Sequence, residues 1–340
     1  MKKKIIIATD AWQPQVNGVV KCVEEVKKQL EKSDFEVVLI YPGLFYSVPL
    51  FFYPEIRLSI FPKNKIKKII KKENPDYIHI VTEGPIGLAA RAICLKNNFK
   101  FTTANHTNFQ VYIQNYLADL NIFSDLIYAY LKWFHNASNA TMVITENIKK
   151  GLESRGLTDV VLWPLGVDTE LFKRNENSPV KEKFNFKSPV FVYFGRIAKE
   201  KNVEEFLKLK LPGTKLVIGG GPLKDSLEKK YGKTAVFLGY RKGQELVDFL
   251  SICDVFVFPS LTDTFPLAII EAFACGLPVA AHDVMDLKDL VNEDVGILDE
   301  NLEIAATNCL YLSREKCREY ALKFSWEESG KYFIKNLVEI

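Results

Sequence analysis

Residues 255–281, VFVFPSLTDTFPLAIIEAFACGLPVAA, contain a strand, a loop, a helix and a second strand in succession. The run Phe256-Val257-Phe258 is apolar at consecutive positions, which is typical of a parallel strand covered on both faces. An apolar helical stretch follows it, and the next strand is predicted at Pro278–Ala280. A strand, helix, strand order predicts a parallel sheet with helices on its faces.

The same alternation extends over both halves of the chain. After the first strand, a helix is predicted because Val19, Val23 and Val26 recur at helical spacing. The strands are predicted at Lys4–Ala8, Val37–Tyr41, Tyr77–Val81, Lys100–Thr103 and Thr141–Thr145 in the first half, and at Val190–Phe194, Lys215–Ile218, Val236–Leu238, Val255–Phe258 and Pro278–Ala280 in the second. Two such series predict an α/β protein with two doubly wound sheets.

The length of the chain also favours two domains. Its 340 residues exceed the roughly 250–300 that one hydrophobic core usually serves. The predicted joint follows Trp163-Pro164-Leu165-Gly166, and a polar segment from Lys173 to Lys187 precedes the second series. We therefore expect domains over residues 1–166 and 167–324, with a helix over 325–340 that packs back on the first domain.

Composition excludes several classes of protein. With 48% hydrophobic and 26% charged residues, the chain is neither disordered nor collagenous nor a disulfide scaffold. The longest apolar candidate, Tyr41–Tyr53, contains two prolines and is too short to span a bilayer. The apolar run after Lys2-Lys3-Lys4 ends at Thr9-Asp10, too early for a signal peptide, and is expected to be a first buried strand.

Cysteine usage and charge narrow the expectation further. The six cysteines are scattered and form no C-x-x-C pair, so we expect reduced, buried thiols in a cytoplasmic protein and no zinc site. Residues 1–170 carry a net charge of +4 and residues 171–340 carry −1. This bias is too weak for a protein dedicated to duplex DNA, and we expect no nucleic-acid partner and no obligate protein partner.

The loops after the strands are the candidate binding segments, because ligands of open α/β sheets bind beyond the carboxyl ends of the strands. After the first strand, Asn17 is a candidate N-cap, and Gly18 allows an anion to approach the helix N-terminus. A plain strand-to-helix turn is the alternative. In Gly219-Gly220-Gly221-Pro222, Lys224 stands where an NAD fingerprint has its third glycine, so that motif is poorly supported.

The loop Gly195–Asn202 carries two cations five residues apart, Arg196 and Lys201. A planar guanidinium and a mobile ammonium at a strand end can clamp a diphosphate from two sides. The alternative is an ordinary solvated loop, because charged residues are common between strands and helices.

Two acids in residues 262–281 form the strongest functional pattern. Asp263 lies in the loop after a strand, and Glu271 lies about one and a half helical turns on, roughly 7–8 Å along the axis. Carboxylates at this spacing can hold hydroxyls at both ends of an extended ligand such as a nucleotide sugar. Complementing the helix dipole is an alternative role for Asp263, but it does not explain Glu271 inside an apolar helix.

Pro266 is predicted at the first position of this helix, where its fixed φ and missing N–H are tolerated. The backbone N–H groups of Thr264, Phe265 and Leu267 are then expected to point toward the ligand.

Taken together, these segments resemble the family-4 glycosyltransferases with the GT-B fold, and the resemblance covers nearly the whole chain. The segments that carry it are Asn17-Gly18, Thr82-Glu83-Gly84-Pro85, His106-Thr107-Asn108-Phe109, Pro164-Leu165-Gly166-Val167-Asp168, Gly195-Arg196 with Lys201, Gly219-Gly220-Gly221-Pro222, Phe237-Leu238-Gly239-Tyr240 and the E-x7-E-like stretch from Asp263 to Glu271. The resemblance implies two facing Rossmann-like domains with a cleft between them and a nucleotide-sugar donor held mainly by the second.

The resemblance also implies the residues of the site. Those expected to take part in catalysis are His106, Arg196, Lys201 and Asp263. Those expected to bind the donor are Asn17, Gly18, Gly195, Gly221, Tyr240, Arg241, Thr264, Phe265, Leu267 and Glu271. Those expected on the acceptor side are Glu83, Asn108 and Tyr112.

Within this set, the resemblance implies cations on the diphosphate, Glu271 on the ribose, Asp263 on the donor sugar, and Tyr240 and Arg241 near the base. It implies transfer with retention, in which cations rather than a metal stabilise the leaving group. No D-x-D occurs in the sequence, so we expect no metal and no other cofactor. A buried histidine satisfied by backbone is the alternative for His106.

Two positions depart from the commoner family pattern. Asp263 stands in place of the usual glutamate, as in a subgroup of lipid-acting sulfoquinovosyl, glucosyl and mannosyl transferases with a T-D-T-F stretch. Pro266 stands in place of a glycine and removes one backbone donor.

A basic helix is predicted in the first half, because residues 60–72 contain six lysines and no acid. Basic residues beside aromatic anchors suit a peripheral protein on an anionic leaflet. The alternative is a solvated helix whose isoleucines pack on the first sheet. The residues expected to contact the membrane are Phe51, Phe52, Lys65, Lys67, Lys68 and Lys71.

The sequence therefore favours a retaining glycosyltransferase on the inner face of the cytoplasmic membrane. We expect a hexosyl or hexuronosyl group to move from UDP-glucose or UDP-glucuronic acid to diacylglycerol or a related lipid. The alternative within the class is a GDP-mannose-dependent mannosyltransferase acting on a glycolipid or glycan. A nucleotide-sugar epimerase and a non-catalytic nucleotide-sugar-binding module are remoter alternatives.

Overall fold

The computed structural model describes residues 2–15, 18–50, 53–106, 121–261, 263 and 266–340. The chain forms two α/β units, one made of Met1–Leu165 with Trp326–Ile340 and the other of Gly166–Ser325. Each unit contains a six-stranded sheet in which the strand pairs are parallel. This confirms the predicted fold class of two parallel-sheet domains.

The first unit is built on a sheet with the strand order β2-β1-β5-β6-β7-β8. Strand β1 is buried over Ile5–Ala8 because helices cover both faces of a doubly wound sheet. An antiparallel hairpin, β3 with β4, lies outside this sheet. The strands of the unit are β1 (Lys3–Ala8), β2 (Phe35–Ile40), β3 (Ser47–Leu50), β4 (Tyr53–Ser59), β5 (Tyr77–Ile80), β6 (Thr102–Asn105), β7 (Ala140–Val143) and β8 (Val160–Leu162).

Helices connect these strands. The first of them buries Val20, Val23, Val26 and Leu30 along one face, which confirms its predicted helical spacing. The helices are α1 (Gly18–Lys32), α2 (Lys63–Glu73), α3 (Pro85–Lys96), α4 (Asn121–His135) and α5 (Glu146–Glu153).

The second unit is built on a sheet with the order β11-β10-β9-β12-β13-β14. All residues of the two central strands, β9 and β12, are buried. Its strands are β9 (Val190–Phe194), β10 (Thr214–Ile218), β11 (Val236–Gly239), β12 (Val255–Phe258), β13 (Val279–Ala281) and β14 (Gly296–Leu298). Its helices are α6 (Val180–Lys183), α7 (Val203–Lys208), α8 (Lys224–Tyr231), α9 (Gly243–Ser251), α10 (Leu267–Ala274), α11 (Leu302–Cys309) and α12 (Arg314–Leu322).

The chain returns to the first unit through helix α13 (Trp326–Asn336). The Trp163 indole N–H donates to the Ser329 hydroxyl over 3.1 Å. The ring of Phe333 packs on that of Trp163 with centroids 4.9 Å apart. Gly330 allows a close helix crossing, because a Cβ there would lie 2.7 Å from the Cβ of Gln29 on α1.

Four strands and one helix boundary differ from the sequence prediction. Neither β8 nor β14 was predicted, since each has only three residues and little pattern of its own. The hairpin β3–β4 was read only as aromatic sequence. Pro266 was predicted at the first helical position but lies one residue before α10, because its backbone is extended with ψ 107°.

Two further observations concern the whole described chain. All six cysteines are buried and unpaired, as predicted for reduced thiols. Among the residues that the structure describes, no helix is long and apolar enough to cross a membrane.

Candidate active site

The loops after β9 and β10 lie against each other through their backbones. The Ile197 N–H donates to the Gly220 carbonyl over 2.9 Å, and the Leu223 N–H donates to the Ile197 carbonyl over 3.1 Å. Gly219 has φ +144°, and a Cβ on it would lie 1.9 Å from the Gly195 carbonyl oxygen. Only glycine permits this approach, so the two loops form one surface at the carboxyl edge of the second sheet.

Lys201 and Asp263 meet at this edge. Lys201 ends a short 3₁₀ turn, Lys199–Lys201, and its ammonium forms an ion pair with Oδ1 of Asp263 in the loop after β12. Both side chains are mostly buried, with 23% and 20% exposed. The other carboxylate oxygen of Asp263 is buried and accepts no hydrogen bond within the described residues. Since an unsatisfied buried acceptor costs about 1–3 kcal/mol, this oxygen suits a ligand that donates a hydrogen bond.

Arg196 lies on the same loop but faces solvent. Its guanidinium is 64% exposed and lies 3.8 Å from the Glu200 carboxylate, a loose contact. Its backbone is fixed, because the buried Tyr193 hydroxyl donates to the Arg196 carbonyl over 2.6 Å. The structure thus places both predicted cations on one loop, with Lys201 anchored and Arg196 extended.

Glu271 lies on α10, five residues into a helix whose other side chains are apolar. It is partly exposed, whereas Ile269, Ile270, Ala272 and Phe273 around it are buried. The helix begins at Leu267. Thr264 and Phe265, which were predicted to contribute backbone donors with Leu267, lie outside the described residues.

Tyr240 and Arg241 follow strand β11 at the same edge of the sheet. The Tyr240 ring is 69% exposed. The Arg241 guanidinium forms an ion pair with Glu245 on α9 over 2.9 Å and donates to the Tyr240 carbonyl over 3.0 Å. These contacts fix the Arg241 guanidinium, and the exposed ring of Tyr240 is a suitable surface for a nucleoside base to stack on.

In the first unit, the sequence did not reveal the role of Asp10, which lies two residues after the end of β1. Its carboxylate accepts from the backbone N–H groups of Ile86 and Gly87, over 2.9 and 3.3 Å, and from the Thr82 hydroxyl over 2.9 Å. It therefore caps the N-terminus of α3, and its burial raises its pKa. An acid at the end of a central strand was the available signal.

Glu83 is held by a histidine that the sequence also did not single out. One Glu83 oxygen lies 3.2 Å from Nε2 of His135, whose Nδ1 lies 2.9 Å from the Thr103 hydroxyl. Tyr130 donates its hydroxyl to the Glu83 carbonyl over 2.6 Å. Burial, with the charges of Glu83 and Asp10, raises the pKa of Tyr130 to about 12.

His106 follows β6 and lies edge-on to Trp163, with ring centroids 5.4 Å apart. Its Nε2 atom is buried and has no hydrogen-bond partner among the residues described. Burial lowers the pKa of His106 to about 4, although the Glu83 carboxylate acts in the opposite direction. The ring is therefore neutral at pH 7.

The remaining predicted donor and acceptor residues fall in two groups. Gly18 begins α1, and a Cβ on it would meet no atom within 4 Å. Gly221 lies in the loop after β10 with φ +153°. Asn17, Asn108 and Tyr112 lie outside the described residues.

The predicted basic helix is α2. Ile66 and Ile70 are buried, while Lys67, Lys68 and Lys71 are exposed and form no ion pair with any described residue. Lys65 differs from them, because its ammonium donates to the Leu44 carbonyl over 2.6 Å.

Two large apolar side chains that precede α2 in the sequence are exposed. Phe61, two residues before the helix, is 93% exposed, and Tyr46, directly before β3, is 77% exposed. Phe51 and Phe52, also predicted to contact the membrane, lie outside the described residues.

The part of the chain that the structure describes contains no group of three or more histidine, cysteine or acidic side chains placed to hold a metal ion.

Comparison with known proteins gives matches over both halves of the chain. Residues 16–171 match the family model described as Glycosyltransferase Family 4, and residues 174–319 match that described as Glycosyl transferases group 1.

Three curated relatives extend these matches. The chain is 32% identical to the sulfoquinovosyl transferase SQD2 of Arabidopsis thaliana over 84% of its own length and 59% of that protein, so it spans less than two thirds of this relative. It is 28% identical to an alpha-monoglucosyldiacylglycerol synthase of Acholeplasma laidlawii, over 83% of the chain and 81% of the relative. It is 24% identical to a GDP-mannose-dependent alpha-mannosyltransferase of Mycobacterium tuberculosis, over 85% and 81%.

A solved structure, sucrose-phosphate synthase from Thermosynechococcus elongatus, shares the fold. It superposes with a TM-score of 0.75 over 98% of both chains at 18% identity.

Proposed function

Because this chain belongs to the family-4 and group-1 glycosyltransferases and has their GT-B fold, we propose that it glycosylates a membrane lipid. The donor is UDP-glucose or UDP-glucuronic acid, and the acceptor is diacylglycerol or a related lipid. The sugar moves with retention of its anomeric configuration. The observation that carries the proposal is the Lys201–Asp263 pair at the carboxyl edge of the second sheet, where α/β folds bind ligands.

The second unit supplies a group for each part of a nucleotide sugar. Lys201 and the exposed Arg196 take the diphosphate, over the surface formed by Gly195 and Gly221. Glu271 takes the ribose hydroxyls, and the Tyr240–Arg241 turn takes the base. The second carboxylate oxygen of Asp263, which accepts no hydrogen bond from a described residue, accepts one from a hydroxyl of the donor sugar.

As the bond from the sugar to the diphosphate breaks, negative charge grows on the departing phosphate. The anchored Lys201 ammonium and the exposed Arg196 guanidinium stabilise that charge more in the transition state than in the ground state. The two cations therefore perform the task that a metal performs elsewhere, and the proposed reaction needs no cofactor.

The first unit supplies the acceptor side. His106 is neutral and its Nε2 has no hydrogen-bond partner among the described residues, so it can hydrogen-bond a hydroxyl of the acceptor. Glu83, fixed by His135 through one oxygen, orients a second hydroxyl through the other.

The lipid acceptor is supported by two independent observations. The relative from Acholeplasma laidlawii is named for the synthesis of monoglucosyldiacylglycerol. Lys67, Lys68 and Lys71 of α2, which form no ion pair with a described residue, suit a peripheral protein on an anionic leaflet together with the exposed Phe61 and Tyr46. We therefore place the enzyme at the inner face of the cytoplasmic membrane.

One experiment tests the donor, the acceptor and the stereochemistry together. The protein is incubated with UDP-glucose or UDP-glucuronic acid and with vesicles of phosphatidylglycerol that contain diacylglycerol. We expect UDP release that depends on diacylglycerol and a glycolipid whose anomeric configuration, measured by NMR, is that of the donor. UDP release independent of lipid, or a donor isomerised without transfer, would contradict the proposal.

A GDP-mannose donor is the second candidate, favoured by the mannosyltransferase from Mycobacterium tuberculosis among the relatives. Thermal-shift measurements with UDP, GDP and ADP separate the two. Stabilisation by GDP alone would replace the UDP-sugar donor with GDP-mannose.

A further inference from the structure

Two hydrogen bonds tie the loop that carries Lys201 to the loop after β12. The Asn202 side-chain amide donates to the Pro259 carbonyl over 3.4 Å, and the Ser260 hydroxyl donates to the Glu200 carbonyl over 3.2 Å. These contacts flank the Lys201–Asp263 ion pair on both chain segments. The placement of the Lys201 ammonium therefore depends on the conformation of the residue that follows it.

That residue, Asn202, is in the left-handed region with φ +51°. Asparagine adopts this conformation more readily than most residues, but it still needs support from its surroundings. Here the turn both ends the 3₁₀ segment with Lys201 and precedes helix α7.

The support comes from Glu205 and His282. One Glu205 oxygen accepts from the Asn202 amide and lies 3.0 Å from Nε2 of His282, which directly follows β13. An ionised carboxylate is only an acceptor, so the proton of the imidazole lies on Nε2. The His282 side chain is 12% exposed, and its position is set by the adjoining strand of the sheet.

We infer that Glu205 and His282 are positioning residues for the donor diphosphate. His282, which follows a strand of the sheet, contacts Glu205, and Glu205 holds the side chain of Asn202. The turn at Asn202 then positions Lys201 at the phosphate. This inference rests on the proposed function, because it requires Lys201 to bind the diphosphate. Neither residue touches the donor itself.

The distinguishing property of such residues is selectivity for the phosphates. Loss of the contacts of Glu205 with His282 and Asn202 should lower the affinity for a nucleoside diphosphate. The affinity for the matching nucleoside should not change, because the nucleoside does not reach Lys201. A merely structural role would lower the unfolding temperature or weaken both ligands together.

The test uses Glu205→Ala and His282→Ala, with His282→Gln as the conservative variant that keeps a donor at a similar reach. Glu204→Ala is the matched control, since this neighbouring residue of α7 binds Lys230 and Tyr231 instead. The probes are UDP and uridine, or GDP and guanosine if the wild type prefers GDP. Affinities are measured by calorimetry for the diphosphate and by NMR titration for the nucleoside.

We expect both alanine variants to lower the affinity for the diphosphate about 10-fold, which corresponds to about 1.4 kcal/mol of binding free energy. Their affinity for the nucleoside should stay within about 2-fold of the wild-type value. The glutamine variant should restore most of the loss, and Glu204→Ala should match the wild type. An equal loss of affinity for the diphosphate and the nucleoside, or an unchanged affinity for the diphosphate, would overturn the inference.

Lys201→Ala, measured in parallel, separates this inference from the proposed function. If Lys201→Ala leaves diphosphate affinity unchanged, the proposed donor site is wrong. If it weakens the diphosphate while the alanine variants at 205 and 282 do not, only the positioning role is wrong. Should Glu205→Ala fail to fold, His282→Ala alone decides the outcome.

Discussion

At the scale of residues, one ion pair joins the two loops of the donor site, beside the hydrogen bonds that tie the same loops together. Because Lys201 and Asp263 are both mostly buried, each depends on the other for charge compensation. A donor diphosphate adds a second anionic partner for Lys201, and a sugar hydroxyl satisfies the second oxygen of Asp263. Most of the electrostatics of the proposed reaction thus reside in two side chains.

We predict that Lys201→Ala or Glu271→Ala lowers turnover by about 100-fold or more, equivalent to about 2.7 kcal/mol of transition-state stabilisation. Steady-state kinetics measure the effect, and circular dichroism should show an intact fold. Lys199→Ala, an exposed lysine on the same 3₁₀ turn, should keep wild-type turnover. Near-normal activity of either active-site variant would remove that residue from the site.

The two cations of the proposed donor site, Lys201 and Arg196, predict that the reaction is independent of metal ions. Activity should survive excess EDTA, because Lys201 and Arg196 already supply positive charge at the diphosphate. If chelation abolishes turnover and magnesium or manganese restores it, the proposed leaving-group stabilisation is wrong.

At the scale of elements, α2 has one face in the core and one in solvent. Its buried isoleucines hold it on the first unit, so its exposed lysines can be changed without loss of packing. Each lysine near an anionic surface contributes about 1 kcal/mol of attraction, screened over about 8 Å at physiological salt.

Replacing Lys67, Lys68 and Lys71 by serine should therefore weaken binding to phosphatidylglycerol vesicles by about 100-fold, while nucleotide binding stays unchanged. Co-sedimentation at low and high salt measures this. The control replaces three exposed lysines of the second unit, Lys173, Lys229 and Lys233, and should bind vesicles like the wild type. A wild-type protein that ignores anionic vesicles at low salt would indicate a soluble acceptor.

Elements also show how far the sequence could predict the structure. Long apolar runs such as Val190–Phe194 were predicted at their exact bounds, because burial on both faces leaves a continuous apolar signal. The contacts of Asp10 with Thr82 and of Glu83 with His135 were not predicted. Their partners lie 72 and 52 residues apart, and local patterns carry no information about which distant side chains the sheet brings together.

On the scale of the whole molecule, we expect acid to lower the stability of the first unit selectively. His79 and His106 are buried there, and burial lowers the pKa of His79 to about 3 and that of His106 to about 4. Between these values and the ordinary 6.5, the unfolded chain binds protons that the folded unit does not. The two neutral histidines therefore contribute fully to the stability of the folded unit above pH 6.5, and this contribution is lost as the pH falls toward their folded-state pKa values.

We predict that the free energy of unfolding of the first unit decreases by about 1.4 kcal/mol per pH unit for each of these histidines between pH 6 and pH 4. Urea unfolding followed by tryptophan fluorescence measures it, because Trp12, Trp133, Trp163 and Trp326 all belong to this unit. In His79→Phe, the slope of the unfolding free energy against pH should decrease by the contribution of about one proton. An unchanged slope would mean that His79 is not neutral in the folded unit.

Helix α13 has a consequence for the order in which the protein can fold. Residues 326–340 belong to the first unit, yet they leave the ribosome only after all of residues 166–325. During synthesis, Trp163 and the adjoining face of α1 stay uncovered while the whole second unit emerges. The second unit, contiguous in sequence, can therefore complete its fold before the first. A nascent chain stalled after residue 325 should accordingly protect the second unit from protease while the first is still cleaved.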